Sequence, residues 1–377
     1  AFDQWQFVGF QLAQFGQSGV AELVRAKVQG DEASKFNRRD RKVPIRVRVE
    51  GMHEANIDQL RRLADTAAAI GVERFVLDDG WFGSRRDDHR GLGDWVVSRE
   101  VWPDGLSPLV DHVKGLGMEF GLWFEPEMVN VDSDLVRAHP DWVLGPVAGV
   151  PLPSRHQHVL DLANPDAFAH VLEAMSALVA QYGIDFIKWD HNRDLHEVVR
   201  TDGSGTDRPA VHAQTSATYR LVDELRRRHP GLEIESCSSG GARVDLGVLE
   251  RTDRVWTSDC NDALERVAIQ RWTGLLVPPE RMGTHIGPPT AHTTHRHLDL
   301  SLRMLVALGG HAGLEWDITT CSADELDALR AWSALYRELR PLLHGGDAVR
   351  SDHPDPALVV GGVVAPDRSA AVFSVVQ

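Results

Sequence analysis

Short apolar runs alternate with longer helical stretches along the sequence from residue 43 onward. Each run is short and apolar, several contain β-branched residues, and such a run predicts a strand, whereas the apolar periodicity of the stretches between runs is that of a helix. The eight predicted strands cover residues 43–49, 74–79, 118–124, 184–190, 232–237, 254–259, 281–286 and 312–317. Eight such units over roughly 275 residues are typical of a (β/α)8 TIM barrel, an α/β fold. A doubly wound sheet is less consistent with the chain because no GxGxxG fingerprint opens the first helix.

Five helices can be assigned from periodicity and from their end signals. The clearest covers residues 164–182, which begin as Asn-Pro-Asp and are followed by Gly183. Proline suits the first turn of a helix, and glycine suits the left-handed residue that follows the last turn. The other four cover residues 57–70, 106–116, 212–229 and 323–339.

The two ends of the chain depart from this alternation. Residues 1–42 contain aromatic residues followed by a polar, basic stretch, which indicates a short N-terminal remnant and a linker. Residues 43–343 form the predicted barrel. Residues 344–377 are rich in Gly, Asp, Pro and Val, which predicts the start of a C-terminal antiparallel β domain. The last strand would leave an unpaired edge, so we expect the chain to be a fragment of a longer protein.

Charge and hydropathy narrow the partners that the chain can have. Its 40 Lys and Arg against 55 Asp and Glu give a net charge of −15 at pH 7, which argues against binding to a nucleic acid backbone. No apolar stretch approaches the roughly 18 residues of a membrane span, and no signal peptide pattern is visible. Three cysteines form neither a disulfide framework nor a CxxC site. We therefore expect no membrane partner and a cytoplasmic location.

Acidic residues end several of the predicted strands. Active sites of (β/α)8 barrels lie at the C-terminal ends of the strands, so polar residues there indicate function. A buried carboxylate is costly unless it is paired, which makes a purely structural origin of the whole set improbable. For any single residue the alternative is an aspartate that caps the next helix or turn. The polar residues at these strand ends are Asp78, Asp79, Asp190, Cys237, Asp259 and Asp317.

The segment KWDHN at residues 188–192 is the most specific of these strand ends. Lys188 and Asp190 are two residues apart on a strand, so their side chains point the same way, and Asn192 adds a donor just beyond. An ammonium group near a carboxylate lowers the pKa of the carboxylate and keeps it ionised, as a nucleophile requires. The alternative is a structural ion pair.

A second carboxylate, Asp259, follows a strand two places further round the barrel. A carboxyl group with fewer cationic neighbours holds a proton more readily and can act first as an acid and then as a base. Asp262 is the rival acid, although its position suits a helix cap. Two carboxylates in unlike environments are typical of glycoside hydrolysis, in which an aromatic side chain stacks on the sugar. Trp123 is the candidate platform, and its alternative is a core tryptophan.

Several longer motifs resemble one known family. They are VLDDGWFG (76–83), LGDWVV (92–97), GMEFGLWFEPEMV (117–129), DFIKWDHNRDL (185–195), the segment from Glu235 to Arg266, and PPERMGTHIGPP (278–289). From about residue 56 to 345 the chain is similar to the α-galactosidases of glycoside hydrolase family 36. The resemblance implies retaining hydrolysis of terminal α-galactosides, with Asp190 as the nucleophile and Asp259 as the acid/base.

The same resemblance implies which residues bind the sugar. Asp78 and Asp79 would bind galactose hydroxyls, and Trp123 would form the platform. The pocket would be completed by Arg155, Lys188, Asn192, Cys237 and Gly240. The glycine has a physical reason as well, since it lets the backbone approach a ligand closely.

The resemblance also implies an α-galactoside oligosaccharide as the substrate, no cofactor, and a homotetramer like those of the family. The chain departs from the family at His191, where methionine is usual, and in the first strand, where IRVRVEGMHE (45–54) replaces an Asn-x-Trp-Glu-type motif. Related activities stay open: an α-N-acetylgalactosaminidase, a galactosyl transglycosylase, or a galactoside-binding barrel with weak catalysis.

A metal-dependent reaction is the main alternative chemistry. Strand-end carboxylates could bind Mg²⁺. His292, His295 and His297 lie close together in HTTHRH, but they lack the i, i+4 spacing of a helical zinc site, and no HExxH motif occurs. We therefore predict a polar loop there and no metal ligands.

Overall fold

Eight parallel strands form a closed barrel in the order in which they occur along the chain. The computed structural model describes residues 46–49 (backbone only), 57–146, 152–201, 206–355 and 357–377, so the predicted N-terminal remnant lies outside it. Pairing of Arg46 with Gly313 joins the last strand to the first. The strands are β1 (Arg46–Val49), β2 (Arg74–Leu77), β3 (Glu119–Phe124), β4 (Phe186–Trp189), β5 (Glu233–Ser236), β6 (Arg254–Trp256), β7 (Met282–Ile286) and β8 (His311–Leu314). The prediction of a (β/α)8 barrel is confirmed.

One helix follows each strand on the outside of the barrel. The helices are α1 (Ile57–Ala69), α2 (Ser107–Gly115), α3 (Pro165–Tyr182), α4 (Val211–Arg228), α5 (Leu246–Arg251), α6 (Ala263–Thr273), α7 (Leu300–Ala307) and α8 (Ala323–Gly345). The residues at the two ends of α3 cap the helix as the sequence predicts. Asn164 accepts a hydrogen bond from the Asp166 N–H, and Gly183 adopts a left-handed conformation with φ 59°.

Helix α8 is longer than the sequence predicts. The periodicity predicts a helix that ends at residue 339, yet α8 continues to Gly345, past Pro341, which lacks a backbone donor. Leu343, beyond the proline, is buried with only 6% of its surface exposed. Packing of this last turn against the barrel therefore outweighs the lost hydrogen bond.

A buried ionic cluster crosses the N-terminal end of the barrel. Arg74, Glu233 and Arg254 are the first residues of β2, β5 and β6, and all three are buried. The guanidinium of Arg74 lies 2.9 Å from a Glu233 carboxylate oxygen, and Arg254 binds the same oxygen. Burial opposes ionisation of Glu233, but the charges of Arg74 and Arg254 lower its pKa to about 2. This end of a barrel serves stability and leaves the other end for chemistry.

Long segments cover the C-terminal end of the barrel. Those after β2, β3 and β4 contain a short helix, Asp134–Ala138, and two small antiparallel ribbons. Their aromatic side chains pack together, with the rings of Trp81, Phe82, Trp95 and Trp123 within 6.2 Å of a neighbouring ring. The segment after β2 therefore packs its aromatic side chains against the carboxyl end of β3.

A three-stranded antiparallel sheet follows the barrel, as the sequence predicts. Its strands are β9 (Asp347–Ser351), β10 (Val359–Val364) and β11 (Ala371–Val376), with β10 in the middle. Within the part of the chain that the structure describes, no helix is long and apolar enough to cross a membrane.

Candidate active site

Asp190 lies directly after β4, at the C-terminal end of the barrel, and its side chain is buried. The Trp123 indole N–H donates to Oδ2 of Asp190 at 3.0 Å, and the His191 backbone N–H donates to Oδ1 at 2.9 Å. The side chains of Asn192 and Cys237 also hydrogen-bond to this carboxylate. Donors from three strand ends therefore fix its orientation.

The electrostatic environment of Asp190 favours its ionised form. Burial alone would raise the pKa of the carboxyl group, because it removes water from the charge. The ammonium charge of Lys188 opposes burial, and so do the hydrogen bonds from Asn192, Cys237 and Trp123. The net result lowers the pKa of Asp190 to about 2. A carboxylate that is ionised, held in one orientation and shielded from water is suited to nucleophilic attack.

Lys188 connects the ends of β2 and β4. Its Nζ lies 3.1 Å from Oδ2 of Asp78, and both side chains are buried. The structural ion pair that the sequence leaves open is thus formed with Asp78, while the charge of Lys188 still acts on Asp190. The charge of one lysine therefore lies close to two carboxylates in the barrel mouth.

Asp79, which follows Asp78 in the chain, pairs with Arg85. Its carboxylate accepts two hydrogen bonds from Arg85, from Nε at 3.0 Å and from Nη2 at 2.7 Å. Arg85 is buried and also donates to the Asn130 side chain at 3.2 Å. The side chain of Asp79 remains 29% exposed, which leaves room for a further donor such as a sugar hydroxyl.

Asp259 lies beyond the end of β6 rather than on the strand, which stops at Trp256. The Trp256 indole N–H donates to Oδ1 of Asp259 at 2.9 Å, and Asp259 is half-buried. The predicted strand is therefore three residues too long at its C-terminal end. Asp259 belongs instead to a loop that packs against the turn after β5.

That turn, residues 237–241, lies between the two candidate carboxylates. Cys237 hydrogen-bonds to Asp190 at one side of it. At the other side, Gly240 has φ 82°, and a Cβ at this position would lie 2.9 Å from the backbone nitrogen of Asp259. Only glycine permits both the conformation and the approach. The turn thus connects the environment of Asp190 to that of Asp259.

Trp123, which the sequence suggests as the sugar platform, does not present an open ring. Trp123 is 2% exposed, and its ring stacks on Phe82 with centroids 6.0 Å apart. Trp81 is fully buried and donates to the Trp123 backbone carbonyl at 3.0 Å. The structure thus places Trp123 in the core, and its contact with the site is the N–H that Asp190 accepts.

Arg155 is the predicted site residue that lies apart from this cluster. It is exposed in a turn with φ 50°, and its side chain is absent from the hydrogen bonds described for Asp78, Asp79, Asp190 and Asp259. The turn is tied to the site two residues later, where Gln157 donates to Glu125 at 3.0 Å.

Glu125 is a buried acid that sequence reasoning missed. It follows β3 directly, is fully buried, and accepts hydrogen bonds from the Asn192 backbone N–H and the Gln157 side chain. Burial and then the negative charge of Asp190 raise the pKa of Glu125 to about 8. A half-turn of the Gln157 amide would let its Oε1, which has no hydrogen-bond partner among the described residues, accept the proton of Glu125. The strand-end rule that singled out Asp190 applies equally to Glu125.

The remaining candidates have structural roles or lie in loops. Asp262 is fully buried and caps α6, where Arg296 also binds it at 2.8 Å, as the cap interpretation expects. Asp317 caps the short helix Ile318–Thr320. His292, His295 and His297 are exposed in a loop, as predicted. His191 faces Ser238 and lies 4.0 Å from Glu127.

The sequence is similar to that of known proteins. The Melibiase family model matches residues 11–346. An α-galactosidase of Escherichia coli is 49% identical over 323 residues, which cover 85% of this chain and 45% of that protein. The α-galactosidase AgaA of Geobacillus stearothermophilus is 38% identical over 344 residues, which cover 89% of this chain and 47% of that protein.

Solved structures give the same match. The crystal structure of AgaA, described as a GH36 α-galactosidase, superposes with a TM-score of 0.89 at 36% identity, covering 95% of this chain and 50% of that one. A variant of AgaA in complex with raffinose also superposes with a TM-score of 0.89, at 35% identity and with the same coverage. The chain spans about half the length of the relatives that it matches.

Proposed function

The chain belongs to the Melibiase family, and on that premise we propose that it hydrolyses terminal α-D-galactosides with retention of configuration. The observation that carries the proposal is Asp190, a buried carboxylate with a pKa of about 2 at the end of β4. Such a group is ionised at neutral and mildly acidic pH, as a nucleophile must be.

In the first step, the Asp190 carboxylate attacks the anomeric carbon of the galactoside while Asp259 gives its proton to the departing glycosidic oxygen. The product is a galactosyl ester on Asp190 and a free alcohol or sugar. In the second step, Asp259 removes a proton from water, and the water oxygen displaces Asp190 from the anomeric carbon. Two inversions give net retention, and both carboxyl groups return to their starting states.

The neighbouring polar groups would hold the sugar in place. Asp78 and Asp79 would accept hydrogen bonds from galactose hydroxyls, and the cations that pair with them, Lys188 and Arg85, hold the two carboxylates in position. Asn192, Cys237 and Gly240 would border the anomeric carbon, and Arg155 would contact the substrate from its exposed turn.

The substrate class follows from the relatives. Variants of AgaA were crystallised with raffinose and with stachyose, which are α-galactoside oligosaccharides. We infer that this chain takes the same class, melibiose and raffinose included. Galactose with a 2-hydroxyl is the expected sugar rather than its N-acetylamino analogue.

Turnover of 4-nitrophenyl α-D-galactoside tests this proposal. Asp190→Asn should abolish measurable turnover while galactose binding is retained, since the amide keeps the shape but cannot attack. Asp317→Asn is the matched control, because Asp317 also follows a barrel strand but only caps a turn. Full activity of Asp190→Asn would refute the assignment.

The role of Asp259 is tested by varying the leaving group. Asp259→Asn should slow hydrolysis of raffinose much more than that of 4-nitrophenyl α-D-galactoside, because a nitrophenolate leaves without protonation. Equal losses on both substrates would contradict an acid role. Activity that survives EDTA separates this mechanism from a magnesium-dependent one.

A further inference from the structure

Asp88, His89 and His156 bring three potential metal ligands together on the surface of the segments that cover the barrel. One ligand atom from each lies within 4.8 Å of the other two. We propose that these side chains bind a divalent transition-metal ion of the Zn²⁺ type. None of the three side chains has a role in the proposed reaction, so the proposal does not depend on that reaction.

The side chains already approach the arrangement that such an ion needs. Nδ1 of His89 lies 3.0 Å from Oδ1 of Asp88, and the rings of His89 and His156 are stacked with centroids 3.7 Å apart. In a tetrahedral site with metal–ligand bonds of about 2.0 Å, two ligand atoms are roughly 3.3 Å apart. The three ligand atoms are already within 4.8 Å of one another, so rotation of these side chains can bring them to that separation.

The backbone beneath the cluster is held by one buried side chain. Asn130 is fully buried, and its Nδ2 donates to the backbone carbonyl of Asp88 at 3.1 Å and to that of His156 at 2.8 Å. Two segments far apart in sequence are thereby fixed side by side. Such preorganisation reduces the ordering cost that an ion would otherwise have to overcome.

His156 is also held in an uncommon conformation. Its φ is 60°, in the left-handed region that few residues other than glycine adopt. The Asn130 hydrogen bond to its carbonyl supports this conformation, which directs the imidazole toward His89. Uncommon backbone conformations persist where surrounding contacts determine them, and they occur often in binding sites.

The donor set selects the class of ion. Two imidazoles and one carboxylate suit Zn²⁺, Co²⁺, Ni²⁺ or Cu²⁺, whereas Mg²⁺ and Ca²⁺ prefer oxygen ligands alone. Three protein ligands leave a fourth position for water, which is the arrangement of an open site rather than a closed structural one.

Isothermal titration with ZnCl2, on the whole chain after removal of any histidine tag, tests the proposal. We expect one Zn²⁺ per chain, no heat with MgCl2, and at least about tenfold weaker binding after His89→Ala or His156→Asn, since loss of a ligand removes much of the affinity. Co²⁺ should give the visible absorption of a nitrogen- and oxygen-ligated ion, and both variants should lose it.

His295→Ala is the matched control. His295 is exposed with φ 57°, like His156, and it lies in the other histidine-rich loop. Its replacement should leave binding of Zn²⁺ unchanged, and so should Asp190→Asn, which separates this site from the proposed reaction. Absence of Zn²⁺ binding, or binding that survives both His89→Ala and His156→Asn, would overturn the proposal. Circular dichroism verifies that each variant is folded.

Discussion

The indole N–H of Trp123, at the end of β3, donates to Oδ2 of Asp190, at the end of β4, across 3.0 Å. Both side chains are buried, so water cannot replace this bond if it is lost. The carboxylate is thus oriented by a side chain whose own ring is fixed among other aromatic residues.

Trp123→Phe removes that bond and keeps most of the ring volume. A hydrogen bond to a charged group contributes about 1.5–3 kcal/mol, so we expect kcat to fall roughly 10- to 100-fold on 4-nitrophenyl α-D-galactoside. Trp189→Phe is the control, because its indole N–H donates to Glu127 instead. A Trp123→Phe enzyme with unchanged kcat would show that the bond does not support the reaction.

Glu125→Gln tests the raised pKa of the buried acid beside Asp190. The native carboxyl group keeps its proton up to a pKa of about 8, whereas the unfolded one loses it near 4.5. The native state therefore binds more protons between these values, and its stability falls as pH rises from about 5 to 8.

Urea unfolding at pH 5 and at pH 8 measures this effect. The free energy of unfolding of the parent chain should fall between the two pH values more steeply than that of Glu125→Gln, whose amide does not titrate. Equal slopes for the two proteins would mean that Glu125 is ionised in the native state.

Gly240→Ala tests whether the turn after β5 positions Asp259. The added Cβ would lie 2.9 Å from both the Asp259 nitrogen and the Ser258 Cα, at φ 82°. Displacement of the acid by about an ångström can cost on the order of 10²-fold in rate, and we expect that loss on raffinose, with a smaller one on the nitrophenyl substrate. Gly117→Ala is a close control, since Gly117 also has φ 82° but no atom lies within 4 Å of its added Cβ. Similar losses in both variants would point to backbone strain alone.

Glu233→Gln tests the ionic cluster at the opposite end of the barrel. The substitution leaves Arg74 and Arg254 buried against a neutral amide, and breaking such a cluster costs about 3–5 kcal/mol of unfolding free energy. The turnover of the folded fraction should not change. Glu119→Gln provides the comparison, because Glu119 also pairs with Arg74 but is 47% exposed, and should cost at most about 1 kcal/mol. Equal destabilisation by Glu233→Gln and Glu119→Gln would contradict the expected difference between a buried and an exposed ion pair.

The sequence predicts all eight barrel strands because each is a short apolar run, and it predicts five of the eight helices from their periodicity and end signals. It is less accurate at strand ends. The local pattern places Asp259 on a strand, but the strand stops at Trp256. The loop that contains Asp259 packs against Gly240, and such a contact between distant residues does not affect local strand propensity. Helix α8 passes Pro341 for a similar reason, because burial of Leu343 is a tertiary effect.

Within the site, the sequence predicts the relations between residues that are close together along the chain. Lys188 and Asp190 lie two residues apart on β4, so their shared direction follows from strand geometry. The pairings of Lys188 with Asp78 and of His89 with His156 join residues far apart in sequence. Spacing along the chain contains no sign of them, and only the closed barrel and its covering segments bring them together.

The formation of a covalent bond to Asp190 is the central claim, and mass spectrometry tests it most directly. An α-galactosyl fluoride with a second fluorine on the ring slows hydrolysis of the ester and should let the intermediate accumulate. After proteolysis, the mass of the fluorogalactosyl group should be found on the peptide that contains Asp190, and Asp190→Asn should acquire none. A label on another residue, or turnover of this reagent without any labelled peptide, would contradict the double-displacement mechanism.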